Sequence, residues 1–435
     1  MLPVRHIIPL QAMLHGAPTS RDALDGLRNR ALQQLIRHAY ARVPYYRSLF
    51  DRHNIDPDLI RCPEDLSAIP ITTKEDLRRA GPKATVDSAL DPDELHLVRT
   101  SGSTAKPFTV RRTYWEQITR FCYWLRAFRE RGMRLTDRRT SVRFLGHAYR
   151  KKRSAWLRIF NLFGLLRHQL VECSLPAQEI LKELRRDRPD VLGGSPSDLY
   201  EMARKVTQRD RELINPRYVG AGGETVTPGM RRCIEEAFGA PVYEGYGCNE
   251  LNLIAWECVE TGEFHTNDDA LIVEIMTDGR PARPGEQGEL VGTSLISYAM
   301  PFIRYRMEDI VTQGSYRCRC GSPFGTIRSI KGRFLNFIHL ADGTTFHPYT
   351  LLGNLIYGSD WIGRYQVVQR HVHAIEIQIE PLEQPDNGEI RRLENELREL
   401  VPDQLDLSLN LVSRIEKPPG EKFCVVQSEI EDLPR

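Results

Sequence analysis

The chain has 435 residues, 41% of them hydrophobic, with 60 Lys plus Arg against 58 Asp plus Glu and a net charge of +2. So even a balance argues against a nucleic-acid protein held by bulk charge, and no run approaches the roughly 20 apolar residues of a membrane span. Nine cysteines spread thinly over this length do not make a disulfide framework, and MLPVRHIIPLQAML lacks a secretory cleavage pattern, so a reducing cytoplasm is the expected setting.

Length alone calls for two or three domains. Leu24, Leu27, Leu32, Leu35 and Ile36 recur at helical spacing, and VPYYRSLF follows as an expected turn. In ITTKEDLRR, Thr72 or Thr73 is placed to cap a helix whose first turn carries Glu75 and Asp76. Next comes RTSGSTAKPFTV, residues 99–110, in which Thr100, Ser101, Gly102, Ser103, Thr104 and Lys106 crowd together. HLVRT before it and FTVRRT behind it read as paired strands, which makes the polar stretch a loop. Unobstructed backbone N–H groups, hydroxyl donors and one ammonium are what a polyphosphate requires, although no Walker A pattern fits.

Residues 113–132 read as an amphipathic helix rich in rings, which either pack in the core or, through Phe121 and Trp124, line an acyl pocket. The stretch 149–166 joins basic residues to an apolar face and is expected to be packed on one side and solvated on the other. DVLGG, YVGAGG and PVYEGYG each end in glycines and are read as leading into helices, the strand–turn–helix repetition of an α/β sheet. From residue 270 strands and turns dominate, and a boundary is expected close to Gly332. Beyond it, RYQVVQRHVHAIEIQIEP reads as a strand, EIRRLENELRELV as a helix and LSLNLVSRI as a strand, together a small α+β domain. His371 and His373 would share a strand face at the surface.

TSGSTAKP, GAGGE, YEGYGCNE and RYRMED stand in that order, followed by Gly332–Arg333 and a lysine in EKPPGEKFCVV. This sequence of phrases resembles the adenylate-forming ligase superfamily, and most of all its phenylacetate–CoA ligase and CapK-like branch. VPYYRSLF and ITTKEDLRR also look like that branch, so the resemblance covers nearly the whole chain. It implies an α/β architecture with a large multi-layer N-terminal domain of mixed sheets, residues 1–332, and a small mobile α+β domain, residues 333–435.

The resemblance also implies a chemistry: ATP and a carboxylic acid form an acyl-adenylate, pyrophosphate leaves, and the acyl group passes to CoA. Thr100, Ser101, Gly102, Ser103, Thr104 and Lys106 would hold the phosphates as they leave. Gly222 and Gly223, with Glu224 beside them, would let the backbone approach adenine. Tyr246, followed by Gly247, would stack on the ring. Glu250, preceded by Asn249, would hold Mg²⁺, Asp309 would accept hydrogen bonds from the ribose hydroxyls, and Arg333 would reach toward the nucleotide. Lys422 would neutralise charge between carboxylate and α-phosphate, with Lys417 as its rival. The expected catalytic residues are therefore Lys422, Glu250 and Lys106.

Cys258, His265, Cys318 and Cys320 offer three thiolates and an imidazole, a closed tetrahedral set suited to a structural Zn²⁺ in a knuckle around residues 258–321. Comparable sets occur in the resembling branch. Four positions depart from the superfamily pattern: Ala105 for glycine, Asn249 for Ser or Thr, Glu308 for a small residue, and Phe334–Asn336 where a hinge acid is expected. The hinge change leaves adenylation intact in expectation and bears on thioester formation. Phe121, Trp124, Tyr243 and Ala221 would wall the acid pocket and incline the substrate toward an aryl or arylacetic acid. An amine or carrier-protein acceptor, acyl transfer without ATP, and a homodimer stay open, while no nucleic-acid or membrane partner is expected.

Overall fold

In the computed structural model of the chain, residues 20–99, 108–143, 163–333, 338–342, 344–346, 361–416 and 425–430 are described, with residues 18, 161, 359 and 423. The chain divides into two units, Met1–Met133 with Gly245–Ile330, and Arg134–Glu244 with Lys331–Arg435. Among the described residues no helix is long and apolar enough to cross a membrane.

The first unit opens on helix Arg21–Arg42, whose N-cap Ser20 accepts from the Ala23 N–H. VPYYRSLF is a second helix, Pro44–Arg52, and not the expected turn. Proline at the first helical position lacks a donor that would have no partner there, so it starts a helix as readily as it ends one. Leu32, Leu35, Ile36, Tyr46 and Phe50 pack with Ile272 and Ile303 into one core cluster. Thr73 caps helix Lys74–Ala80 in a reciprocal box with Asp76. Strands His96–Arg99 and Thr109–Arg112 pair antiparallel as expected. Helix Tyr114–Glu130 then starts from Thr113, boxed with Glu116.

The rest of this unit is antiparallel. Strands Leu271–Thr277, Gln287–Ser294 and Tyr305–Gln313 lie side by side, and Asn252–Glu257 pairs with Phe264–Thr266. Leu271, Ile275, Leu290, Phe302, Tyr305 and Val311 fill the core beneath them.

The second unit contains the strand–turn–helix repetition. Strands His168–Glu172, Arg139–Arg143, Val191–Gly194 and Tyr218–Gly222 are neighbours in that order and parallel. Helices Ala177–Asp187, Pro196–Ala203 and Pro228–Phe238 supply Leu181, Leu184, Leu199, Ile234 and Phe238 to a core with Leu192 and Val219. PVYEGYG departs from the pattern: strand Val242–Cys248 turns back into strand Asn252–Glu257, not into a helix.

The same unit holds a four-stranded sheet, ordered Asp406–Leu411, Ala374–Pro381, Ile362–His371 and Val426–Ser428. Leu393 and Leu397 of helix Asn387–Leu400 share a core with Ile375, Ile377 and Ile379. What reads as one strand from Arg364 to Pro381 is a hairpin. Its bend at Val372–His373 carries neither Gly nor Pro, so no turn residue announces it. His371 ends one strand and His373 lies in the bend, both exposed with rings 5.5 Å apart; the surface placement holds, the common strand face does not.

Candidate active site

In the first unit the hairpin GYGCNELN, residues 245–252, carries four of the expected residues: Tyr246, Gly247, Asn249 and Glu250. Gly245 pairs with Trp256 and Tyr246 with Ala255, and the register slips between Tyr246 and Gly247. A Cβ on Gly247 would lie 2.3 Å from the Asn252 carbonyl oxygen, so only glycine permits this close return of the chain. Asn252 meets the turn at φ +73°, a left-handed conformation that asparagine tolerates better than most residues.

Asp309 lies on strand Tyr305–Gln313 and accepts a hydrogen bond from the Tyr246 hydroxyl through Oδ2. The sequence does not foretell how it gets there. Glu289 pairs with Ile310 while Val291 pairs with Arg306, so Met307, Glu308 and Asp309 together face the single residue Leu290. The bulge is completed by Glu308 at φ +60°. Glutamate pays a steric cost in that conformation, which glycine adopts freely. Bulges bend a strand and re-aim its side chains, and here the re-aimed side chain is Asp309.

Glu250 sits at the hairpin turn and is 6% exposed. The Tyr305 hydroxyl donates to its Oε1 at 3.3 Å. Burial, reinforced by the Glu250 charge, pushes the Tyr305 phenol up, so it stays a donor. Arg112 and Arg120 both donate to the carbonyl oxygen of Asn249, the residue before Glu250. Tyr305, Arg112 and Arg120 are absent from the sequence reading. Glu116 and Arg120, four apart, share a face of helix Tyr114–Glu130, but Arg112 ends the preceding strand, and no spacing in the sequence points to it.

The second unit holds GAGGE. Strand Tyr218–Gly222 ends at Gly222, and Gly223 follows at φ +92°. The Glu224 carboxylate accepts the Ser197 N–H at 3.1 Å and the Ser197 hydroxyl through Oε2, and the Phe423 N–H at 2.9 Å through Oε1. Of the proposed pocket wall, Ala221 is buried in this unit's core and Tyr243 lies against Tyr218. Trp124, in the first unit, donates to Asn252 Oδ1 at 3.1 Å. Thr100, Ser101, Gly102, Ser103, Thr104, Lys106, Lys417 and Lys422 lie outside the described residues, and Arg333 closes strand Thr326–Arg333.

Cys258, His265, Cys318 and Cys320 come together in the first unit, their ligand atoms all within 4.8 Å of one another. Cys258 Sγ and Cys318 Sγ are 3.8 Å apart, and Cys320 Sγ and His265 Nε2 are 3.3 Å apart. Tetrahedral zinc with Zn–S near 2.3 Å separates two sulfurs by about 3.8 Å, so the cluster fits the ion. Gly321 at φ +82° gives the Cys318–Cys320 pair its turn.

A family model described as AMP-binding enzyme matches residues 23–294. The chain belongs to the AMP-binding enzymes. It is 28% identical to the phenylacetate-coenzyme A ligase of Thermus thermophilus over 80% of this chain and 79% of that one. It is 31% identical to the phenylacetate-coenzyme A ligase of Pseudomonas putida over 73% of this chain and 72% of that one. A crystal structure of 2-hydroxyisobutyryl-CoA ligase in the postadenylation state, in complex with an acyl-AMP (R3-HIB-AMP), superposes with a TM-score of 0.74 at 17% identity, covering 94% of this chain and 90% of that one.

Proposed function

We infer that this AMP-binding enzyme is an AMP-forming acid–CoA ligase. ATP and a carboxylic acid give an acyl-adenylate and pyrophosphate, and the CoA thiol then displaces AMP to give the thioester. The observation that carries this reading is the Tyr246–Asp309 hydrogen bond beside the buried turn of Glu250, in a chain whose family match spans residues 23–294. A carboxylate offers two oxygens to a pair of ribose hydroxyls, and a phenol ring fixed to that carboxylate presents a face to the adenine.

The finer assignments follow from the same reading. Glu250 holds Mg²⁺ against the phosphates, the hydroxyls of residues 100–104 with Lys106 take up the departing pyrophosphate, and Lys422 offsets charge at the α-phosphate. Residues 333–435 act as the small mobile domain. The acid is an aryl or arylacetic acid, in keeping with the ligases of Thermus thermophilus and Pseudomonas putida. Zn²⁺ held by Cys258, His265, Cys318 and Cys320 would be structural: four protein ligands leave it no open position for a substrate.

The test is pyrophosphate release from Mg²⁺-ATP across a panel of carboxylic acids, with and without CoA, alongside Lys422→Ala. One acid should drive release, the thioester should appear only with CoA, and K422A should lose adenylation by about 10²- to 10³-fold. Release without thioester would move the acceptor to an amine or a carrier-protein thiol. Silence with every acid would overturn the reading.

A further inference from the structure

Arg112 closes strand Thr109–Arg112, and Arg120 lies within helix Tyr114–Glu130. Both are buried, 6% and 7% exposed. Their guanidinium groups converge on one atom. Arg120 Nη2 donates to the Asn249 carbonyl oxygen at 2.9 Å and to that of Cys248 at 3.2 Å. Arg112 Nη2 donates to the same Asn249 oxygen, and its Nη1 donates to Gln117 Oε1 at 3.0 Å.

Both cations feel the carboxylates of Glu116 and Glu250, but neither is paired with one. Among the described residues Arg112 Nε and Arg120 Nη1 have no hydrogen-bond partner, and neither guanidinium makes an ion pair. Glu116 is the nearby carboxylate on the same helix, but its oxygens are committed elsewhere. Oε2 takes the Thr113 N–H at 2.7 Å, and Oε1 takes the N–H groups of Tyr298 and Ala299 at 2.6 and 2.8 Å. Burial presses both arginines down, Arg112 to about 10, and Arg120 is pressed further by its neighbour. Two buried cations without paired anions are costly to a fold. Satisfying one carbonyl requires only a neutral donor, so the pair calls for another reason. The peptide they grip supplies one, because its next residue is Glu250.

We propose that Arg112 and Arg120 are positioning residues for Glu250: together they pin the Asn249–Glu250 peptide and so fix where the carboxylate meets the divalent cation. The inference rests on the acid-ligase reading and on Glu250 as the cation's ligand. The arginines touch neither cation nor nucleotide in this scheme. Their effect passes through a backbone carbonyl, as partners behind a metal ligand act.

The test is a Mg²⁺ titration of pyrophosphate release at saturating ATP and acid, for the unaltered chain, R112M, R120M and R120K. Both methionine variants should lower kcat and raise the half-saturating Mg²⁺ concentration, each by about 10- to 100-fold. The KM for the acid should stay within about twofold, and R120K should recover part of the Mg²⁺ response because it keeps the charge. A structural role alone would lower kcat equally at every Mg²⁺ concentration, and that result overturns the proposal. So does a folded R120M with an unaltered Mg²⁺ response. Should the methionine variants not fold, R112K and R120K carry the same titration. An inactive unaltered chain would instead sink the acid-ligase reading, so the two failures are distinguishable.

Discussion

The Tyr246 hydroxyl donates to Asp309 Oδ2, joining the hairpin of strand Val242–Cys248 to the bulge in strand Tyr305–Gln313. Each partner limits the freedom of the other, so the carboxylate and the ring hold a fixed relation to one another. On the proposed role of Asp309 at the ribose, Asp309→Ala removes the acceptor of two hydroxyls and releases the tyrosine. The KM for ATP should rise by about 10²- to 10⁴-fold, since two hydrogen bonds to a charged group contribute about 1.5–3 kcal/mol each. Tyr246→Phe keeps the ring and should raise it only a few-fold. ATP titrations of pyrophosphate release check both, and an unchanged KM in D309A would remove Asp309 from the nucleotide site.

Glu308 allows a test of the bulge itself. A non-glycine residue at φ +60° carries a backbone cost of about 1–2 kcal/mol. Comparing E308G with E308A removes the side chain in both and isolates that cost. E308G should be the more stable by about 1 kcal/mol, or a few degrees in Tm. Equal melting temperatures would mean that the backbone relaxes once the glutamate is gone.

Helices such as Lys74–Ala80 and Tyr114–Glu130, and the glycine-ended strands, were legible because their signals are local, whereas helix Pro44–Arg52 read as a turn. Thr73 and Thr113 each stand three residues before an acid that returns the hydrogen bond, and YVGAGG marks its own strand and turn. Tyr246, Glu250 and Asp309 were legible as phrases in order, and the cysteines and histidine as a ligand set. What stayed hidden depends on register. The return of Asn252 against Gly247 and the extra residues opposite Leu290 are set by cross-strand pairing, which residue type alone does not reveal. Nothing in the sequence singles out Arg112 and Arg120, which the fold buries.

Asp210 makes the stability of the second unit depend on pH. It is buried, which by itself would raise its pKa. The Thr207 hydroxyl and backbone N–H, with the Arg185 guanidinium, outweigh burial and hold it below the usual carboxylate range. A depressed pKa means that the folded state favours the charged form. The stabilisation is therefore complete above the unfolded value of about 3.9 and is lost as pH falls through the lower folded value. Asp210→Asn should be clearly less stable than the unaltered chain at pH 7, and the gap should close below about pH 4. Thermal unfolding at the two pH values reads this, and a gap that persists in acid would assign the loss to packing.

The Cys258–His265–Cys318–Cys320 cluster yields the last prediction. Cys258 follows strand Asn252–Glu257, His265 lies in strand Phe264–Thr266, and Cys318 and Cys320 stand on the turn before strand Thr326–Arg333. A bound ion would therefore clamp the ends of strands that already pair, Glu257 with Phe264 and His265 with Thr326, to the turn that carries Cys318 and Cys320. Because the ligands must be brought together by folding, metal affinity adds directly to folding stability. Purified protein should carry about one zinc per chain by elemental analysis, in keeping with four ligands around one point. Chelation, or Cys318→Ser, should lower Tm by several degrees and should leave kcat at low temperature nearly unchanged, because this ion has no open coordination position. A chain free of zinc whose melting temperature ignores both chelator and C318S would remove the metal. A kcat that falls in step with zinc content while Tm holds would make the ion catalytic instead of structural.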